Sequence, residues 1–174
     1  MQKSILAFLS FSTVILLSCS LLGKYSEVEY HNLVIESVKE ASLAIEDTAV
    51  IYNGTLPDVV TEQVEVDTSE MQAAYDDAAA ALEDTEELLT LEAQNIEQQN
   101  AVRTELETYR TAAALYLESY EAMLTYYEDG TYKTDLTQVK PLDEAMYINY
   151  TTFTAANNDL MEIMNGFVKA GEEG

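Results

Sequence analysis

The chain has 174 residues, 48% of them hydrophobic, with 32 acids against 8 Lys plus Arg and a formal net charge of −24. A charge this negative is repelled by nucleic acid and by anionic headgroups, so it excludes a nucleic-acid partner and electrostatic adhesion to a membrane. One domain is expected at this length, and with Cys19 as the only cysteine no internal disulfide can form, so the core must hold the chain together.

The first element is apolar. Residues 4 to 17, SILAFLSFSTVILL, follow Lys3 and end in Leu16-Leu17-Ser18-Cys19. The run has signal-peptide length and is shorter than the ~20 apolar residues of a spanning helix. The basic start, the short apolar core and the cysteine behind Leu-x-Ser resemble the lipobox of a bacterial lipoprotein precursor. The resemblance implies cleavage before Cys19, a diacylglycerol thioether on its sulfur and a further fatty acyl chain, such as palmitate, on its new amino terminus. It also implies an extracytoplasmic place in the bacterial cell envelope. In a cell with two membranes, Ser20 resembles the outer-membrane sorting pattern, because Asp at that position is the usual retention signal. Two or three acyl chains anchor stably where one binds marginally. The resemblance implies that Lys3 leaves with the signal, which makes the remainder more acidic still.

Downstream, apolar residues recur with helical spacing, which argues against the disorder that acidity alone can signal. The first segment, about 27 to 52, places Tyr30, Val34, Val38, Ala41, Ile45, Ala49 and Tyr52 three or four apart. Asn53-Gly54 reads as its stop. Pro57 and the alternation Val64-Glu65-Val66-Asp67 predict an extended crossing loop over 55 to 68. Ser69 with Gln72 is a capping-box pattern that opens the next helix. Its stripe is Met71, Tyr75, Ala78, Leu82, Leu89 and Ile96. A further stripe comprises Val102, Leu106, Tyr109, Ala113, Tyr116, Tyr120, Met123 and Tyr127, and Asp129-Gly130 ends the run. The last helix is expected to open near Pro141, with Asp143 and Glu144 favourable to its dipole. Leu142, Met146, Phe153, Ala156, Leu160, Met164 and Phe167 form its stripe.

Residues 93 to 101, AQNIEQQNA, are ambiguous. No Gly or Pro occurs from 69 to 128, so one helix of ~90 Å is open to the chain. Yet the stripe loses its apolar members there and resumes on a rotated face. A break gives four segments of nearly equal length, which suits an all-α, antiparallel four-helix bundle. Three helices with one very long central member are the alternative. The expected organisation is a signal peptide over 1–18, a lipidated N-terminus and short tether over 19–26, a bundle over 27–170 and a frayed tail over 171–174.

No catalytic constellation is present. His31 is the only histidine, and the lipobox resemblance assigns Cys19 to lipid. His31 is followed by Asn32, Leu33 and Val34, which departs from the His-x-x-Glu iron motif of some helical lipoproteins. No Glu-x-x-His pair, phosphate loop or calcium loop occurs, so no metal and no cofactor are expected. Asp76, Asp77, Glu83, Asp84, Glu86 and Glu87 read as a solvated face. Glu83 and Glu87, one turn apart, can share a divalent cation only weakly.

Two features point to recognition. Arg103 and Arg110, the only arginines, lie seven apart and point the same way, for an acidic partner or for salt bridges to acidic neighbours. Tyrosines 109, 116, 120, 126, 127, 132, 147 and 150 gather where the third and fourth helices meet, as core or as a binding face. The residues singled out as possible contacts are Arg103, Arg110, Tyr116, Tyr120, Tyr127 and Tyr147. The expected function is a non-enzymatic envelope scaffold or protein-interaction module, held to the membrane through Cys19, with an envelope protein as partner. The alternative is a binding protein for a cationic or sugar ligand, using the acidic face or the tyrosine-rich end.

Overall fold

Among the described residues, four helices form an antiparallel bundle: α1 (Glu27–Glu62), α2 (Ser69–Asp84), α3 (Ile96–Glu128) and α4 (Val139–Glu172). The computed structural model describes residues 23–62 and 66–172. The Leu16–Cys19 motif, residues 63–65 of the expected crossing loop and the last two residues, 173–174, lie outside the described residues.

Contacts at both ends set the up-down order. At one end Tyr25 N–H donates to the Glu92 carbonyl and Gln94 N–H donates to the Tyr25 carbonyl, each at 2.8 Å. The start of α1 therefore meets the link between α2 and α3, and residues 24–26 dock on the bundle rather than run free of it. At the other end Val66 N–H donates to the Tyr132 hydroxyl at 3.1 Å, and the Thr68 hydroxyl donates to Glu128 at 3.4 Å. This places the link from α1 to α2 beside the end of α3. The packing is uneven: α1 lies closely on α2 and α3 on α4, while α1 meets α4 sparingly.

The core follows the three-and-four spacing. Tyr30, Val34, Val38, Ala41, Ile45 and Tyr52 are buried on α1. Thr48, not the expected Ala49, takes the place between the last two, and its hydroxyl donates to the Ile45 carbonyl at 2.7 Å. On α3 all eight expected stripe residues are buried, and on α4 so are Met146, Phe153, Ala156, Leu160 and Met164. Full burial of side chains such as Leu106 or Phe153 stabilises the fold by ~1.5–3 kcal/mol each.

The boundaries differ from the sequence expectations at three places. First, α1 does not stop at Asn53-Gly54 but continues through Pro57 to Glu62. Asn53 Nδ2 donates to the Ala49 carbonyl and the Thr55 hydroxyl to the Ile51 carbonyl, so both side chains bond back along the helix instead of ending it. Gly54 is not among the glycines with positive φ. Second, the chain breaks between α2 and α3, but at 85–95 rather than 93–101. The four helices have 36, 16, 33 and 34 residues, so they are unequal. A turn of 3-10 helix, Glu87–Thr90, and an extended stretch carry the column on past the end of α2. Because the helical register ends at Asp84, Leu88 is buried where Leu89 was expected, and Ile96 opens α3 with 59% of its surface exposed. Third, α4 is helical to Glu172 and opens at Val139 with Pro141 in its first turn.

The caps also fall elsewhere. Ser69 and Gln72 form no capping box: the backbone of Ser69 donates to Asp67 Oδ1 at 3.0 Å, and Gln72 Nε2 donates to Asp76. The reciprocal pair is at Ser26 and Glu29. Ser26 N–H donates to Glu29 Oε2 at 3.0 Å and Glu29 N–H donates to Ser26 Oγ at 3.3 Å. Asn95 caps α3 by accepting from Gln98 N–H at 3.0 Å. Asp129-Gly130 does end α3, and Gly130 takes φ +75°, which costs glycine no Cβ clash.

Candidate functional site

The arginines are committed to the fold. Arg110 Nη1 donates to the Leu82 carbonyl at 2.8 Å and to the Thr85 hydroxyl at 2.6 Å, and Nη2 reaches Glu86 at 3.2 Å. These groups lie at and just past the C-terminal end of α2, where a cation suits the dipole. Arg103 Nη2 donates to the Leu91 carbonyl at 3.4 Å, while its Nε is buried without a partner. Both side chains thus secure the α2–α3 link, and neither joins the tyrosines in one site.

The tyrosines divide into core and cleft. Tyr116, Tyr120 and Tyr127 are buried, whereas Tyr147 has 72% of its surface exposed. Tyr109 shares a hydrogen bond with Ser42 at 3.0 Å, and Tyr116 shares one with Thr48 at 2.8 Å. Tyr120 donates to the Met71 carbonyl at 3.4 Å. The Tyr127 hydroxyl is buried with no partner. Burial pushes the hydroxyls of Tyr109, Tyr116 and Tyr127 up to about 12, so they stay neutral. Tyr126, Tyr127 and Tyr132 form a cluster of rings with centroids 5.4 to 6.4 Å apart.

Where α1 and α4 separate, a cleft of about 110 Å³ opens. Ala49, Tyr52 and Asn53 of α1 line one side, and Asp143, Met146, Tyr147 and Tyr150 of α4 line the other. Tyr116 of α3 forms the floor. The Tyr52 hydroxyl donates to Asp143 Oδ1 at 2.9 Å across the cleft. Burial and this carboxylate together raise the Tyr52 hydroxyl well above the usual phenol range. The Tyr116 and Tyr150 rings meet edge to face, centroids 5.3 Å apart and planes 61° apart. Burial, aided by the negative charge of Glu46 on α1, raises the Tyr150 hydroxyl.

Of the six residues singled out from sequence, only Tyr116 and Tyr147 come together here. Tyr52, Asn53, Asp143 and Tyr150 complete the cleft and were not among them. Tyr52 has the spacing of a core residue and Asp143 that of a dipole partner, so periodicity alone assigns neither to a cleft. The signal was a ring and a carboxylate on two helices whose facing sides carry small or polar residues at Ala49 and Asn53.

The other titratable groups weighed in the sequence do not converge. His31 Nδ1 is buried without a partner, and burial lowers the ring's pKa. Asp76, Asp77, Glu83, Asp84, Glu86 and Glu87 are exposed. Glu83 and Glu87 are not one helical turn apart, because α2 ends between them. Among the described residues no group of three or more His, Cys, Asp or Glu side chains is placed to hold a metal ion. Compared with known protein families, curated proteins and solved structures, the chain matches none.

Proposed function

We propose that the protein is a lipid-anchored, extracytoplasmic helical lipoprotein of the bacterial cell envelope that acts without catalysis, as a scaffold or protein-interaction module. The observation that carries the reading is Cys19 behind Leu16-Leu17-Ser18 and the apolar run that starts after Lys3. A four-helix bundle suits it, since such a bundle presents long helix faces to a partner. The acidic surface suits it too, because like charge keeps the domain away from anionic headgroups while the lipid holds it to the bilayer. In a two-membrane cell, Ser20 directs it to the outer membrane. The test is metabolic labelling with a fatty acid. Cys19→Ser is expected to lose the label and to accumulate as an uncleaved precursor. Equal labelling of both chains would overturn the reading.

A second reading is favoured by a specific feature, the cleft between α1 and α4. Rings and a carboxylate converge there, which suits a binding protein for a small ligand. The two readings are compatible, since a lipid-anchored bundle can present a ligand site to the extracytoplasmic space.

A further inference from the structure

We propose that the cleft between α1 and α4 binds a small organic cation, a substituted ammonium, between the Tyr116, Tyr147 and Tyr150 rings and the Asp143 carboxylate. This rests on the ligand-binding reading and names the ligand class. The argument begins with which polar groups are already bonded. Tyr52 OH donates to Asp143, Tyr116 OH bonds Thr48, and Asn53 Nδ2 donates to the Ala49 carbonyl. What the cleft still offers is aromatic surface, the exposed Tyr147 hydroxyl, Asn53 Oδ1 and the second oxygen of Asp143, for which no described side chain supplies a hydrogen bond. A sugar entering it would lose water from several hydroxyls and recover few bonds, which is costly. A hard metal ion needs six or more oxygen ligands, and a single carboxylate would leave nearly all of them to water. An anion meets Asp143, the nearby Glu46 and a chain of net charge −24. A substituted ammonium needs only what is present: a negative charge and ring faces or edges placed around it. The buried Tyr116 ring makes the floor, the Tyr150 ring, steeply angled to it, makes one wall, and Tyr147 supplies an exposed second wall. A volume of about 110 Å³ suits a trimethylammonium-sized group and is too small for a folded partner or a helix.

The test is calorimetric titration of the purified full chain in a polyoxyethylene detergent, which carries neither charge nor sugar. Tetramethylammonium chloride replaces potassium chloride at constant ionic strength, so that diffuse attraction to the acidic surface is held level. Neopentyl alcohol serves as the neutral shape match, and glucose as the sugar. The expected result is saturable heat with tetramethylammonium and none with neopentyl alcohol. Asp143→Asn, whose amide oxygen can still accept from Tyr52, is expected to weaken binding ~10-fold or more. Tyr147→Ala, at a side chain 72% exposed and so without a part in the core, is expected to weaken it severalfold. Equal binding by wild type and both variants would mean diffuse attraction and overturn the proposal. Equal binding of neopentyl alcohol would mean a merely apolar hollow and overturn it too. Saturable heat with glucose alone would overturn the cation while leaving the ligand-binding reading intact. Silence from all three compounds would remove both.

Discussion

Arg110 decides where a helix ends. Its guanidinium meets a carbonyl, a hydroxyl and a carboxylate at the last turn of α2, and its side chain is only 20% exposed. Two of the three contacts are to neutral groups, so they persist whatever the charge state of Glu86. Hydrogen bonds to charged groups contribute ~1.5–3 kcal/mol, and here the Leu82 carbonyl keeps the Thr85 N–H and hydroxyl as donors, which places the loss at the low end. Arg110→Ala is therefore expected to lower the free energy of unfolding by ~2 kcal/mol, read as a drop in urea midpoint at unchanged slope. Arg110→Lys should recover only part, because a single ammonium cannot reach all three groups in the fork geometry. A loss under ~0.5 kcal/mol, the range of ordinary surface substitutions, would mean that the contacts are not formed in solution. The seven-residue spacing to Arg103 is visible in the sequence and correctly predicts a shared face. It is silent on what lies opposite, because the neighbour is set by where α2 ends.

At the scale of elements, residues buried on one face were legible, as were the starts of α1 and α2 and the end of α3, whereas the end of α1 and the α2–α3 break were not. The α3 stripe is right at every position because 33 residues of unbroken helix keep one register. The α2 stripe fails beyond Leu82 because register cannot be carried across a break that no Gly or Pro marks. The opposite error occurs in α1, where Asn53, Gly54 and Pro57 signal a stop that the helix overrides. Asn53 and Thr55 bond back to carbonyls four residues earlier, and Tyr52 just before them is buried against the rest of the bundle. The caps allow a direct comparison, since Ser26 and Ser69 both stand three residues before a Glu or Gln. Only the first closes its box. Ser26→Ala is expected to cost ~1 kcal/mol, as does Asn95→Ala, which removes the α3 cap. Ser69→Ala is expected to stay within ~0.5 kcal/mol. Thermal or urea unfolding of the three variants side by side checks this, and equal losses at Ser26 and Ser69 would show that both boxes form. The cleft was illegible for a related reason. A gap between α1 and α4 depends on how closely two helices approach, which periodicity does not encode.

For the whole molecule, the deciding quantity is charge. The described ion pairs include Lys24–Glu92 at 3.9 Å, Arg110–Glu86 at 3.2 Å and Lys140–Glu144 at 3.6 Å. The first and last are between side chains 40% to 82% exposed, and such pairs contribute ~0–1 kcal/mol each. Eight basic residues cannot in any arrangement neutralise 32 acids, so repulsion among carboxylates opposes the compact state. Salt weakens both the pairs and the repulsion, and the outcome depends on which is larger. With a net charge of −24 the repulsion involves many more charges than the pairs do. The Debye length is ~10 Å at 0.1 M and falls towards ~3 Å at 1 M, so exposed acids such as Asp76, Asp77, Glu83 and Asp84 are progressively screened from one another. The Arg110 contacts to Leu82 and Thr85 are short and partly buried, so they are screened less and survive the same change. The melting temperature is therefore expected to rise steadily from low salt to ~0.5 M NaCl, a range in which the Debye length falls below 10 Å. Circular dichroism at fixed pH measures it. A flat or falling curve would mean that the acids are already neutralised by bound cations or paired more strongly than exposed pairs allow, and the charge argument would fail.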